Sequence, residues 1–344
     1  MEIVPPATRD GANEAMAERL PARVRLGTSS WSFSGWRGLV YAASAPAASL
    51  ASEGLAAYAH HGLHRTVGLD RAFYETPGVG VYRRLAEQVP THFRFVVKAH
   101  QAVTRPHLQS DGTTLGSTVA SHEHGAVNPR FLDAAWACDA VVAPAVEGLG
   151  AACGPIVFQF PSLAVGPREA IGDESALLDR LAGFLQALPR GPMYAVEFRN
   201  PSMLAGRNVE RFVQALGSVD AVPGLGLIPS MPAAGATVAA LIGAGWAWSV
   251  RRPMLIRWLL GHGLGYDEAR RRFEPFHEAV APDPASRDQI AVAVARALSQ
   301  QAEAYVIVNN KAEGSAPRSI ATLAASVLDA MHRVAAPERT ETMS

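Results

Sequence analysis

Pro155-Ile156-Val157-Phe158-Gln159-Phe160 is a short apolar run that Pro161 stops. Downstream, Leu177, Leu181, Phe184, Leu185 and Leu188 recur at helical spacing within Ala176 to Leu188, and a second β-type run follows from Met193 to Glu197. A strand, an amphipathic helix and another strand in that order make a βαβ unit, and such units build parallel sheets.

The same rhythm extends in both directions. Toward the N-terminus the pattern predicts strands from Val24 to Thr28, Arg65 to Leu69 and Phe93 to Lys98. Helices are predicted there from Leu50 to His61, Val79 to Gln88 and Phe131 to Val142. Toward the C-terminus it predicts strands from Gly224 to Ile228, Met254 to Leu260 and Tyr305 to Asn309. The helices of this half run from Val209 to Leu216, Arg287 to Glu303 and Ser319 to Val334. Its glycines make Gly224 to Ile228 the weakest strand. Eight strands with helices between most of them suit an α/β fold, a single-domain (β/α)8 TIM-barrel-like closed parallel barrel. A doubly wound open sheet is the alternative, but no Gly-x-Gly-x-x-Gly fingerprint follows the first strand. This reading divides the chain into a loose leader over residues 1–22, the barrel over 23–335 and a tail over 336–344. The polar stretch from Gln101 to Asn128 is long for a plain connection and is expected to be a functional flap or an ordered excursion.

Composition narrows the function classes. A chain of 344 residues with 49% hydrophobic content can bury a sizeable core and offset its ordering entropy. Thirty-one Lys and Arg balance 31 Asp and Glu, so no global field gathers nucleic acid or anionic membrane. Two cysteines, Cys138 and Cys153, exclude a disulfide framework and a Cys-based zinc cage. No basic head with an apolar run marks a signal peptide, and the most apolar stretch, Ala236 to Val250, is too short to span a bilayer. A cytoplasmic protein without a membrane partner is expected. Only Lys98 and Lys311 are lysine; the other 29 basic residues are arginine. Arginine cannot replace lysine as a compact donor or as an amine with a movable pKa, which draws attention to these two positions.

In a parallel barrel the active site lies at the C-terminal ends of the strands. Those ends deliver Thr28, Ser29, Trp31 and Trp36 from the first strand, Asp70, Arg71 and Tyr74 from the second, and Lys98 from the third. The fourth and fifth deliver Gln159, Glu197 and Arg199; the seventh contains Arg257, and the eighth leads to Asn309, Asn310 and Lys311. Asp70 and Glu197 come from strands that are not neighbours, so they can approach across the mouth as an acid–base pair. The alternative is that each pairs with Arg71 or Arg199 without any catalysis. Lys98 is either an amine of lowered pKa or a clamp for a substrate oxyanion or for Glu197. Arg71, Lys98, Arg199 and Arg257 at one mouth favour an anionic ligand.

Gly261 to Gly265 and Gly314-Ser315-Ala316-Pro317 stand where barrels often hold phosphate, the second opening a helix with Ser315 as its N-cap. Trp31, Trp36 and Tyr74 either stack on a ligand or pack a loop over the rim. His107 and His122-Glu123-His124 lack the helical Glu-x-x-His frame of a zinc site, and His60 and His64 are read as surface residues. No metal ligands and no cofactor are assigned. A Gly-x-Ser-x-Gly elbow is missing, and neither lysine ends a Walker-type loop.

Several segments, in this order and spacing, resemble the YecE-like family, the domain-of-unknown-function family number 72. They are Gly27-Thr28-Ser29-Ser30-Trp31 with Gly35-Trp36; Asp70 to Tyr74 with Pro77; Phe93-Arg94-Phe95 with Val97-Lys98; and Gln159-Phe160-Pro161. Glu197-Phe198-Arg199-Asn200-Pro201-Ser202, Ile256-Arg257-Trp258 and Asn309-Asn310-Lys311-Ala312-Glu313-Gly314-Ser315-Ala316-Pro317 complete the set. The resemblance runs from about Val24 to about Val334. It implies a TIM-barrel-like fold with its mouth at these segments, and it supplies no reaction, because the family's activity is unassigned. Relatives usually read Val-Glu-Ile-Asn before a Phe-Tyr pair; here Gly68 takes the Glu position and Asp70 the Asn position. Arg257 also lacks the His-Gly that commonly follows, so a variant branch is expected.

The expectation is an enzyme doing general acid–base chemistry on a small hydroxylated anionic metabolite. Glu197 would be the general base or acid, Asp70 its opposite partner, Lys98 and Arg257 oxyanion stabilisers and Asn309 a positioning donor. Hydrolase, isomerase and lyase chemistry stay open. The alternative is a non-catalytic barrel holding a metabolite or a nucleic-acid end, with Trp31 and Trp36 as stacking platforms. The sequence specifies no oligomeric state.

Overall fold

The predicted strands are buried along nearly their whole length, as a parallel sheet covered by helices requires. The computed structural model describes residues 4–108, 126–162, 172–261 and 263–335. Its strands are β1 (Val24–Thr28), β2 (His64–Leu69), β3 (Arg94–Lys98), β4 (Cys153–Gln159), β5 (Tyr194–Glu197), β6 (Val222–Leu227), β7 (Met254–Trp258) and β8 (Ala304–Val308). They pair in sequence order, each parallel to the next, and β8 returns to β1 to close the barrel. The closing register sets Val24 opposite Ala304 and Thr28 opposite Val308. All eight strands therefore end on one rim.

The helices are α1 (Gly11–Arg19), α2 (Ala47–Glu53), α3 (Leu55–His60), α4 (Val79–Ala86), α5 (Gln101–Thr104), α6 (Ala134–Ala137) and α7 (Ala143–Leu149). They continue as α8 (Glu174–Ala187), α9 (Gly206–Gly217), α10 (Ala234–Gly243), α11 (Tyr266–Phe273), α12 (Pro284–Ser299) and α13 (Ala316–Ala335). In α8, Leu177, Leu181, Phe184 and Leu185 form the buried stripe, and Asp173 accepts a hydrogen bond from the Ala176 amide at 2.8 Å to cap its start.

Several expectations change for local reasons. The helix predicted from Leu50 to His61 is two helices that break at Gly54. The one predicted from Phe131 to Val142 is α6, a widened π turn over Cys138–Val142 and α7. Pro144 follows that turn; its ring lacks an N–H and crowds the preceding helical turn, and a π bulge relieves both. The N-terminal segment is not a loose leader over its described length. Asp10 caps α1 through the Ala12 amide at 2.9 Å, and the Arg65 guanidinium donates to the carbonyls of Leu20, Pro21 and Val24. His64 is no surface residue: it sits in β2 at 1% exposure, stacked on Tyr58 and His61, and burial pushes its pKa well below the ordinary range. The helix after β8 is capped by Asn310 rather than Ser315, because the Asn310 side chain accepts from the Ala316 amide at 2.8 Å. The residues 109–125 inside the polar stretch, the tail over 336–344 and the triplet His122-Glu123-His124 lie outside the described residues.

No helix among the described residues is long and apolar enough to cross a membrane.

β1 and β2 approach very closely at Gly27, where an added Cβ would stand 1.8 Å from the Thr66 carbonyl oxygen. Gly27→Ala should therefore overpack the barrel and cost at least about 1–3 kcal/mol. A urea unfolding midpoint equal to wild type would refute that account.

Candidate active site

One guanidinium organises the mouth. Arg257 projects from β7 at 2% exposure, and its flat fork reaches two strands that do not neighbour each other. Its Nη2 donates to Asp70 Oδ1, beyond β2, at 2.7 Å, and its Nη1 donates to Glu197 Oε2, on β5, at 3.1 Å. The two candidate carboxylates thus meet through a shared cation. Glu197 is fully buried and carries a second partner, Arg199 Nη2, at 2.6 Å from Oε1. Gln159 stands opposite Glu197 in the β4–β5 register, and its Oε1 accepts from Arg199 at 3.1 Å and from Arg257 at 3.3 Å. Burial works against charge on Arg257, but Asp70 and Glu197 outweigh it and hold the guanidinium above its ordinary pKa. Arg199 is pulled down by burial, which Glu197 offsets only in part.

The space for this network comes from a glycine. A Cβ on Gly226 of β6 would stand 2.5 Å from Glu197 Oε1, so no other residue type lets the carboxylate reach that place.

Lys98 ends β3 on the same rim. Its Nζ lies 3.6 Å from the centre of the Phe73 ring and forms no ion pair among the described residues. Burial pushes the amine down to about 8; Asp70 and Glu197 pull it up, and Arg257 and Arg199 push it down again. Three cations and two carboxylates therefore share the mouth, an excess of one positive charge.

Asn309 and Ser29 join the rim on the β8–β1 side, where the Asn309 amide donates to Ser29 Oγ at 2.7 Å. The other expected site residues serve different ends. Thr28 is buried and donates to the Ser30 carbonyl at 2.6 Å, while its own amide donates to the Tyr58 hydroxyl. Trp36 is 0% exposed and packs among Phe33 and Tyr58, so it is no stacking platform. Trp31 is partly buried and donates its indole N–H to the Leu50 carbonyl at 2.9 Å. Arg71, at 78% side-chain exposure, turns outward to Glu75 and leaves Asp70 to Arg257. Tyr74 is exposed at the rim and meets Phe73 edge-on. Asn310 is the buried cap of α13. Lys311 is buried with its amine 4.2 Å from the Tyr266 ring centre, apart from the Arg257 contacts.

Among the described residues, three amides of the two glycine loops are already engaged within the protein. The amides of Gly261, Gly314 and Ala316 already donate to Lys311 O, Asn310 O and Asn310 Oδ1, and Pro317 has no N–H. Among the described residues no group of three or more His, Cys, Asp or Glu is placed to hold a metal ion. Sequence reasoning missed Phe73, Tyr58 and Gly226. Phe73 was within reach, since it follows Asp70 by three positions; the roles of Tyr58 and Gly226 depend on strand register.

A closed eight-stranded parallel barrel with a buried charge network at its C-terminal rim belongs to the TIM-barrel class. The chain is a member of the family described as protein of unknown function DUF72, which matches residues 25–342. It is similar to the crystal structure of a DUF72 family protein from Enterococcus faecalis V583, with 18% identity, a TM-score of 0.54, and 90% of this chain and 95% of that chain covered. A DUF72 family protein from Thermotoga maritima MSB8 aligns with 16% identity and a TM-score of 0.51 over 87% of this chain and 97% of that one. At these identities the likeness is one of fold. No curated protein matches the chain.

Two outcomes follow from the charge network. Arg257→Leu leaves the fully buried Glu197 without one of its two cations and should cost about 3–5 kcal/mol in urea unfolding; a loss below about 1 kcal/mol would contradict the role given to Arg257. For Lys98, the folded protein resists the ammonium down to about pH 8, while the unfolded chain keeps its proton to about pH 10. Between those limits the unfolded state binds more protons, so this group makes stability rise with pH. The stability of Lys98→Met relative to wild type should therefore be greatest at neutral pH and decline toward pH 10. A pH-independent difference in unfolding free energy would rule this out.

Proposed function

We propose that the barrel is an acid–base enzyme for a small hydroxylated anion bound at its C-terminal mouth. Lys98 is the group that gives and takes the proton, and Asp70 is its partner. Asp70 Oδ1 is held by Arg257, which fixes the carboxylate beside the mouth at 32% side-chain exposure. Glu197 is a positioning residue: fully buried between two guanidiniums, it sets Arg199 and Arg257 in place and meets no substrate. This differs from the expectation that Glu197 itself handles the proton.

The observation that carries the reading is the Lys98 amine, pushed down to about 8 without an ion-pair partner. A proton-transfer group works best when its pKa lies near the operating pH. The excess positive charge among Lys98, Arg199 and Arg257 favours an anionic substrate, and Asn309 with Ser29 offers hydrogen bonds to its hydroxyl groups. Hydrolysis, isomerisation and elimination can each use such a proton transfer.

The experiment has two stages. Hydroxy acids and sugar phosphates are first screened for a rise in melting temperature, since a ligand of the native state stabilises it. Compounds that raise it are then incubated with the protein, and turnover is followed by proton NMR across pH. Turnover should show an inflection near pH 8 and fall about 100-fold or more in Lys98→Met. Turnover unchanged in Lys98→Met, or no stabilisation by any anion, would overturn the reading.

A further inference from the structure

A cleft of about 470 Å³ leads outward from Asp70, between the tops of β1 and β2 and the flank of α4. That volume lies in the range of small-molecule sites. Its inner end is made by Ser29, Gly68 and Asp70, and its walls are largely apolar, with Trp31, Leu69 and Val81 among them. Val81 is 41% exposed, an apolar side chain left open to solvent where the cleft passes α4. Two residues belong to both the cleft and the mouth: Asp70 through its contact with Arg257, and Ser29 through its hydrogen bond from Asn309. The Ser30 and Ser32 hydroxyl groups, 3.3 Å apart, stand along the same wall.

Charge in the cleft is already matched. Arg71 pairs with Glu75, and Asp70 with Arg257. An occupant therefore meets apolar surface and hydroxyl groups and no unpaired charge.

We propose that this cleft holds the uncharged apolar arm of the substrate whose anionic head lies at the mouth, which makes the substrate an amphipathic anion, an acid or phosphate ester carrying an alkyl or aryl group. The inference rests on the acid–base reading of the mouth. It adds to that reading a direction and a polarity: head toward Lys98, arm outward past Ser29 toward Val81. The cleft holds about sixteen water molecules' worth of space, at roughly 30 Å³ each, and their release from apolar walls drives the arm inward.

A second cleft, of about 920 Å³, opens at the opposite end of the barrel. Its buried Arg25 and half-buried Arg65 are held by the protein itself: Arg25 by Glu303 at 2.8 Å and Arg65 by the backbone carbonyls before β1. That cleft is the seat of α1 and takes no part in the proposal.

The test is calorimetric titration of the full chain with methyl, ethyl, butyl and hexyl phosphate. Affinity should rise about fourfold per added methylene until the cleft is full, with a binding heat capacity that grows more negative along the series. Val81→Trp, at an exposed position of α4, should abolish the gain with length and leave methyl phosphate binding within about twofold of wild type. A flat series, with methyl phosphate still bound and weakened by Lys98→Met, would overturn the cleft assignment and leave the mouth reading standing. Length dependence that persists unchanged in Val81→Trp would overturn it equally. If no phosphate of any length binds, the mouth reading fails, and the arm proposal fails with it.

Discussion

The bridge from Arg257 to Asp70 and Glu197 is the interaction on which the mouth depends. Burying charge is costly, and a buried ion pair offsets that cost only when its geometry is good and its remaining donors are satisfied. Arg257 meets the condition because a guanidinium is a rigid fork with several donors. It can serve two carboxylates and the Gln159 amide oxygen at once. A lysine at the same place would present one point charge and could not span β2 and β5. The bridge also needs room, and Gly226 provides it by leaving out the atom that would collide with Glu197.

The network divides its members by burial. Glu197 and Arg257 are enclosed and mutually committed, so their charge layout is set before any ligand arrives. Such fixed charge avoids reorganisation during a reaction. Lys98 sits at the margin. Desolvation and the two guanidiniums oppose its ammonium, the Phe73 face and the two carboxylates favour it, and the balance brings its pKa down to about 8. Lys98 is one of two lysines in a chain whose other basic residues are arginine.

Much of the architecture was legible because a parallel strand buried on both faces leaves an apolar run that local pattern can find. Even the glycine-weakened β6 is present, over Val222–Leu227. Boundaries moved where a single residue altered the local hydrogen bonding, as at Gly54 and ahead of Pro144. The gathering of Asp70, Lys98, Gln159, Glu197 and Arg257 at one rim was also legible, because strand ends in a barrel converge. Pairing within the rim was not. Asp70 and Arg257 are 187 positions apart, and no local signal tells Asp70 to choose Arg257 over its neighbour Arg71. Burial was the other blind spot. Trp36 and Thr28 have the chemistry of ligand contacts, yet the fold turns them into packing and scaffold, and His64 looks like a surface residue until β2 carries it inside.

The scarcity of lysine has a practical consequence. Both ε-amines of the chain are withdrawn from the surface, Lys98 beside the charge network and Lys311 beneath Tyr266. Guanidinium groups, which carry the exterior positive charge, ignore acylating and imine-forming reagents at mild pH. An electrophile that enters the mouth therefore meets an amine whose basicity burial has lowered, and the guanidinium groups of the outer shell do not compete for it.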